Sequence, residues 1–137
     1  MAAPFYEFHN MFDTKQIKII NKFIKNNYDR VAPTSEGATD LQNNELKFVD
    51  VKQIYWYKVK QYLESAYQFA LNTIQHECGY LLHPFNDFRH INYNTYNSKH
   101  KHQYGYHLDD MKESSANSTK GTLLINVSDS KYTGGEL

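Results

Sequence analysis

The clearest structural signal in this chain is residues 56–76, WYKVKQYLESAYQFALNTIQH. Apolar residues recur in this stretch at three- and four-residue spacing, which is the period of one face of an α-helix. The stripe consists of Val59, Leu63, Ala66, Ala70 and Ile74, and Tyr62, Tyr67 and Phe69 widen it. Gly79 suits the left-handed position that follows many helix ends. We therefore predict a long packing helix that stops near Gly79.

A second, shorter helix is predicted upstream of the first. Asp13 or Thr14 can cap it, and Ile17, Ile20, Phe23 and Ile24 form its apolar stripe. Residues 26–44 have no apolar period and carry proline, glycine and asparagine, so we expect a long surface loop there. Residues 47–51 are predicted to form a short strand.

Downstream of the long helix the sequence changes to β-rich segments. Residues 89–96, 104–109 and 122–127 have the composition of strands, and the polar residues 110–120 form a predicted loop between the last two. Helices followed by strands indicate an α+β fold with helices packed on an antiparallel sheet. A length of 137 residues predicts a single domain that spans residues 1–137.

Composition narrows the classes of partner. Fifteen basic and fifteen acidic residues cancel, so no global field attracts nucleic acid or a membrane surface. The N-terminus lacks the basic and apolar regions of a secretory signal, and no apolar run approaches the roughly 20 residues that span a bilayer. We expect a soluble cytoplasmic or otherwise intracellular protein with a local recognition site, and an inert half-buried thiol at the lone Cys78.

His107 and Asp109 are the candidate metal ligands. They are two residues apart, and on an extended strand such residues point to the same face. An imidazole and a carboxylate on one face supply two of the three ligands of the 2-His-1-carboxylate iron site. The spacing alone is also compatible with two exposed polar residues on a solvated strand.

Other histidines give weaker metal signals. His76, His83 and His90 recur every seven residues near Cys78, which does not match the close ligand pairs of zinc sites. The segment Lys99-His-Lys-His-Gln103 is predicted to be a solvated basic turn.

Four segments in order resemble one enzyme family. They are Asn92-Tyr-Asn-Thr-Tyr96, Tyr104-Gly-Tyr-His-Leu-Asp109, Leu123-Leu-Ile-Asn-Val-Ser128 and Tyr132-Thr-Gly-Gly-Glu-Leu137. Together they are similar to the tyrosine, His-x-Asp and Gly-Gly-Glu-Leu blocks of the prolyl 4-hydroxylase-like dioxygenases, which depend on Fe(II) and 2-oxoglutarate. The resemblance covers roughly a third of the chain closely.

The resemblance implies a double-stranded β-helix, or jelly roll, supported by the N-terminal helices. It makes His107 and Asp109 the first two iron ligands. It places Tyr96, Leu124 and Asn126 against the cosubstrate, although Tyr96 lies one residue from the commonest spacing. The implied activity hydroxylates an unactivated C–H bond, with peptidyl proline or a small molecule as substrate, and releases succinate and CO2. Iron, 2-oxoglutarate and dioxygen are the implied small molecules, with ascorbate as a further candidate cofactor.

Two parts of the family pattern are not among these residues. The distal histidine ligand and the cation that pairs with 2-oxoglutarate would follow Leu137, so we expect a jelly roll that is incomplete at its C-terminus and a longer reading frame. With two ligands the 137-residue chain should bind iron weakly and be inactive in isolation. The alternatives are a non-catalytic jelly-roll remnant or binding module and, less favoured, an interaction protein that uses its many tyrosines.

Overall fold

The computed structural model describes residues 5–32, 47–104 and 121–134. The described elements, in chain order, are two α-helices, five strands and one 3₁₀ turn, and they form a mixed α+β arrangement with antiparallel sheets. They are α1 (Thr14–Asn27), β1 (Arg30–Val31), β2 (Lys47–Phe48), β3 (Asp50–Tyr55), α2 (Trp56–Cys78), β4 (His90–Thr95), the 3₁₀ turn Ser98–His100 and β5 (Gln103–Tyr104). None of the described helices is long and apolar enough to cross a membrane.

Helix α1 begins with a complete capping box. The Asp13 carboxylate accepts a hydrogen bond from the Gln16 backbone N–H at 2.7 Å, and the Gln16 side-chain oxygen accepts one from the Asp13 N–H at 2.9 Å. These two bonds satisfy backbone donors that have no partner inside the helix. The structure therefore assigns the cap to Asp13, one of the two candidates that the sequence offered.

Helix α2 confirms most of the predicted stripe, although Ile74 is only partly buried. Val59, Leu63, Ala66, Tyr67 and Ala70 are buried, and the helix ends at Gly79 in the left-handed conformation with φ of 68°. Phe69, which was expected to widen the buried face, is 51% exposed and instead packs edge-on against the ring of Phe8. The stripe is consequently narrower than the sequence suggested.

The start of α2 depends on a distant segment. Its N-cap, Tyr55, makes no side-chain capping bond. The backbone N–H of Trp56 donates to the Arg89 carbonyl at 2.8 Å, and that of Tyr57 donates to the Asp87 carbonyl at 3.0 Å. The loop before β4 thus satisfies the first helical donors and lets strand β3 run into α2 without a separate cap.

The main sheet has the order β1-β3-β4, with both pairs antiparallel. Strand β3 continues to Tyr55, beyond the predicted limit of residue 51, because the whole of β4 pairs with it, from Asp50 opposite Thr95 to Tyr55 opposite His90. Strand β1 corrects the prediction of a structureless loop after residue 26, since Arg30 lies opposite Gln53. The rest of that predicted loop, residues 33–44, lies outside the described residues.

One hydrophobic core joins the helices and the sheet. Its buried members are Ile20, Ile24, Ile54, Trp56, Val59, Leu63 and Tyr67. Leu123, Ile125 and Val127 pack against this cluster from the segment 121–128. That segment was predicted to be a strand, but in the described part of the chain it joins neither sheet. Every second side chain of the segment packs against the core, but the segment is not a strand of either described sheet.

Candidate functional site

The predicted iron ligands, His107 and Asp109, lie a few residues after β5 in the sequence. This strand pairs antiparallel with β2, and Tyr104 lies opposite Lys47. The chain is therefore extended at Tyr104, the first residue of the predicted strand 104–109. His107 and Asp109 themselves lie outside the described residues. Their assignment as ligands therefore stays a prediction from their spacing and from the family resemblance.

Tyr96 directly follows the last residue of β4 and is 54% exposed. Partial burial, and in second place the neighbouring phenol of Tyr104, raise the pKa of Tyr96 above its ordinary value. A tyrosine hydroxyl is protonated at neutral pH even without this shift, and it can donate a hydrogen bond. A donor is the group that a bound carboxylate requires.

Leu124 and Asn126 lie on the face of segment 121–128 that points away from the core. Leu124 is 61% exposed and Asn126 is exposed, whereas the residues between and beside them are partly buried. The Asn126 amide nitrogen donates to the Tyr132 hydroxyl, and its oxygen accepts from the Ser128 N–H at 3.0 Å. The amide keeps one N–H and one lone pair for a ligand.

The basic turn between β4 and β5 is more ordered than its composition suggested. Lys99, His100 and Lys101 are exposed, as predicted. His102 is partly buried, and its Nδ1 lies 3.1 Å from both the Asn97 N–H and the Thr95 carbonyl oxygen. The ring can accept from the first or donate to the second, according to its tautomer. His102 therefore closes the turn beside Tyr96, a role that no sequence signal indicated.

The rival histidine series does not converge. His76 pairs with the neighbouring carboxylate of Glu77 at the exposed end of α2, while the ring of His90 stacks on Tyr55 with centroids 3.9 Å apart. Across residues 5–32, 47–104 and 121–134, no group of three or more His, Cys, Asp and Glu side chains could hold a metal ion. Cys78 is a free thiol and half-buried, as predicted, while its inertness stays a prediction.

Two shallow surface depressions occur away from the predicted site. One lies on α1 and is lined by Thr14, Lys15, Lys18, Ile19 and Lys22. The other lies on the outer face of α2 between Phe69 and Glu77. Neither contains Tyr96, Leu124 or Asn126.

Comparisons with protein-family models, with curated proteins and with solved structures found no match. The resemblance to the dioxygenase family accordingly rests on the four segments quoted above.

Proposed function

We propose that this chain belongs to an Fe(II)- and 2-oxoglutarate-dependent dioxygenase that hydroxylates an unactivated C–H bond, with peptidyl proline as the first candidate substrate. The observation that carries the proposal is the pair His107 and Asp109, two residues apart and three residues beyond the strand residue Tyr104. The jelly-roll architecture is part of the same proposal.

The donor set fits iron. A neutral imidazole nitrogen and a carboxylate oxygen are two of the three ligands in the facial triad, which leaves positions open for a cosubstrate and dioxygen. Bound iron would supply the activation of dioxygen that couples oxidation of 2-oxoglutarate to succinate and CO2 with hydroxylation of the substrate. The protein's share is to hold the metal at His107 and Asp109 and to orient the cosubstrate.

Three described residues suit that second task. Tyr96 offers a half-exposed phenol, which is protonated at neutral pH and can donate a hydrogen bond. Asn126 keeps hydrogen-bonding capacity beyond its bonds to Tyr132 and Ser128. Leu124 presents an apolar side chain on the same face as Asn126, opposite the helical core. A dicarboxylate with a short apolar chain needs hydrogen-bond donors and an apolar contact. Tyr96 and Asn126 expose the donors, and Leu124 exposes the apolar group.

An anaerobic titration with Fe(II) and 2-oxoglutarate tests the proposal. We expect a weak visible charge-transfer band that appears only at excess iron, because the proposal assigns two ligands, His107 and Asp109, to this sequence. His107→Ala and Asp109→Ala should remove the band, whereas His100→Ala, in the exposed turn nearby, should preserve it.

Two results would count against the proposal. The first is the absence of a band at any iron concentration, which is the outcome expected of a non-catalytic jelly-roll remnant or binding module. The second is a band that survives His107→Ala, because the metal would then be bound elsewhere. A band at stoichiometric iron would keep the function and show that a third ligand comes from within the 137 residues.

A further inference from the structure

Helix α1 concentrates positive charge on its outer face. Its sequence, residues 14–27, contains four lysines and no acidic residue, although the whole chain is neutral. At about 100° per residue these lysines fall within an arc of about 80°. They are Lys15, Lys18, Lys22 and Lys25, which we call the lysine stripe. With a rise of about 1.5 Å per residue, the lysine stripe extends over about 15 Å.

The lysine stripe is not neutralised within the described protein. All four side chains are exposed, and none makes an ion pair or a side-chain hydrogen bond across residues 5–32, 47–104 and 121–134. By contrast, the two lysines at the start of α2 are paired, Lys58 with Asp29 and Lys60 with Asp87. Other described cations, among them Arg30, Lys99 and Lys131, also lack an ion pair within the described residues, but four such cations share one face of α1.

An apolar side chain lies beside the lysine stripe. Ile19 is 43% exposed, and it lines a shallow depression of about 460 Å³ together with Thr14, Lys15, Lys18 and Lys22. The aliphatic stems of lysine cover apolar surface while their ammonium groups remain in water. The depression consequently has an apolar floor and a rim of positive charges.

We propose that this face of α1 binds an acidic peptide segment of another protein, with an apolar side chain at the centre of that segment. The carboxylates would pair with the lysine stripe, and the apolar side chain would cover Ile19. Amphipathic peptides that lie in grooves are recognised by this combination of apolar anchors and complementary charge.

The same observations disfavour two other polyanions. A membrane-surface helix inserts its apolar face between lipids, but Ile20 and Ile24 on that face of α1 are buried in the core. A nucleic-acid backbone requires only the charges and leaves the apolar floor around Ile19 unused. An acidic peptide with a central apolar residue uses both parts of the surface.

The proposal can be tested by fluorescence anisotropy with a labelled peptide of glutamates that carries leucines at its centre. We expect salt-sensitive binding that Lys18→Glu/Lys22→Glu weakens about tenfold, since the variant removes two ion pairs with the peptide and puts repulsion in their place. Lys99→Glu/Lys101→Glu is the matched control, because it makes the same change of net charge in the exposed turn and should alter binding less than about twofold. Circular dichroism of both variants checks that the fold is intact.

A second variant separates the apolar contact from the charges. Ile19→Ser should weaken the leucine-containing peptide and leave the weaker binding of an all-glutamate peptide unchanged. Equal losses in the two double variants would overturn the proposal, because binding would then depend on net charge alone. Tighter binding of an RNA duplex or of phosphatidylserine vesicles, abolished by Lys18→Glu/Lys22→Glu, would assign the surface to that ligand instead. Sedimentation that shows a dimer lost in the same variant would assign it to a second copy of this chain.

Discussion

Asn21 is the buried polar residue of the described core, with 5% of its surface exposed. Its amide nitrogen donates to the Val127 carbonyl at 2.8 Å, and its oxygen accepts from the Tyr93 hydroxyl at 2.9 Å. Burial, followed by the charge of Asp129, raises the pKa of Tyr93 above its ordinary value. One side chain thus connects α1, β4 and the segment 121–128.

Replacing this amide should destabilise the protein. Asn21→Leu leaves the Val127 carbonyl and the Tyr93 hydroxyl without their partner, so we expect the free energy of unfolding to fall by about 1–3 kcal/mol in urea titrations. Asn26→Leu, at an exposed position of the same helix, should change it by less than about 0.5 kcal/mol. Equal effects of the two substitutions would show that the hydrogen bonds of Asn21 contribute nothing measurable.

Asp29 links the end of α1 to the β3–α2 junction and makes stability depend on pH. Burial alone would raise the pKa of its carboxyl, but the hydrogen bond from Lys58, the Tyr55 N–H and the Lys58 charge together lower that pKa. A group with a lowered folded-state pKa contributes stability above its unfolded value, about 4, and loses it as pH falls through the folded value.

The pH dependence gives a second prediction at this scale. Between pH 7 and pH 3 the urea midpoint of the wild-type protein should fall more than that of Asp29→Asn. The variant has no carboxylate at position 29, so acid cannot protonate that group and remove its contribution to stability. Asp50→Asn removes an exposed aspartate that forms no ion pair within the described residues, and it should retain the wild-type slope. Parallel curves for Asp29→Asn and the wild type would refute the assignment.

Among the elements, α1 depends on its N-terminal cap. Asp13→Ala removes the acceptor for the Gln16 N–H, and we expect the free energy of unfolding to decrease by about 1 kcal/mol. Asp13→Ser can retain the bond and should recover most of that loss. Thermal unfolding followed by circular dichroism measures both, and an unchanged melting temperature in Asp13→Ala would exclude a role for the capping box.

Segment 121–128 offers a neighbouring pair with opposite environments. Ile125 packs against the core, whereas Leu124 is 61% exposed. Ile125→Asp should cost about 2–4 kcal/mol because it places a carboxylate against apolar side chains. Leu124→Asp should leave the urea midpoint nearly unchanged and, under the proposed function, weaken 2-oxoglutarate binding by charge repulsion. Similar losses of stability in the two variants would contradict the alternating packing.

At the scale of the whole molecule, the metal binding proposed above would be coupled to folding through mass action. A ligand that binds the folded chain alone stabilises it, by about 1.4 kcal/mol at a tenfold excess over its dissociation constant. Anaerobic Fe(II) with 2-oxoglutarate should therefore raise the melting temperature. His107→Ala should abolish this increase, and His83→Ala, at an exposed position, should preserve it. An identical increase in both variants would place the metal away from His107.

The candidate site was predictable to a different degree at each residue. The spacing of His107 and Asp109 is a local property that the sequence displays directly. The exposure of Leu124 and Asn126 follows from alternation along one segment. The closure of the turn by His102 was not predictable, because its partners Asn97 and Thr95 become neighbours only when the chain reverses between β4 and β5.

The sequence by itself determined the two helices, the end of α2 at Gly79 and the position of strand β4. Helical periodicity, caps and strand composition are local, because they act between residues a few positions apart. Only the tertiary structure decided the extent of β3, the pairing of β1 and the packing of segment 121–128 outside the described sheets. Their partners lie more than twenty residues away, as Arg30 and Gln53 do. Such contacts form only when the core brings distant backbone groups together, and no local pattern encodes them.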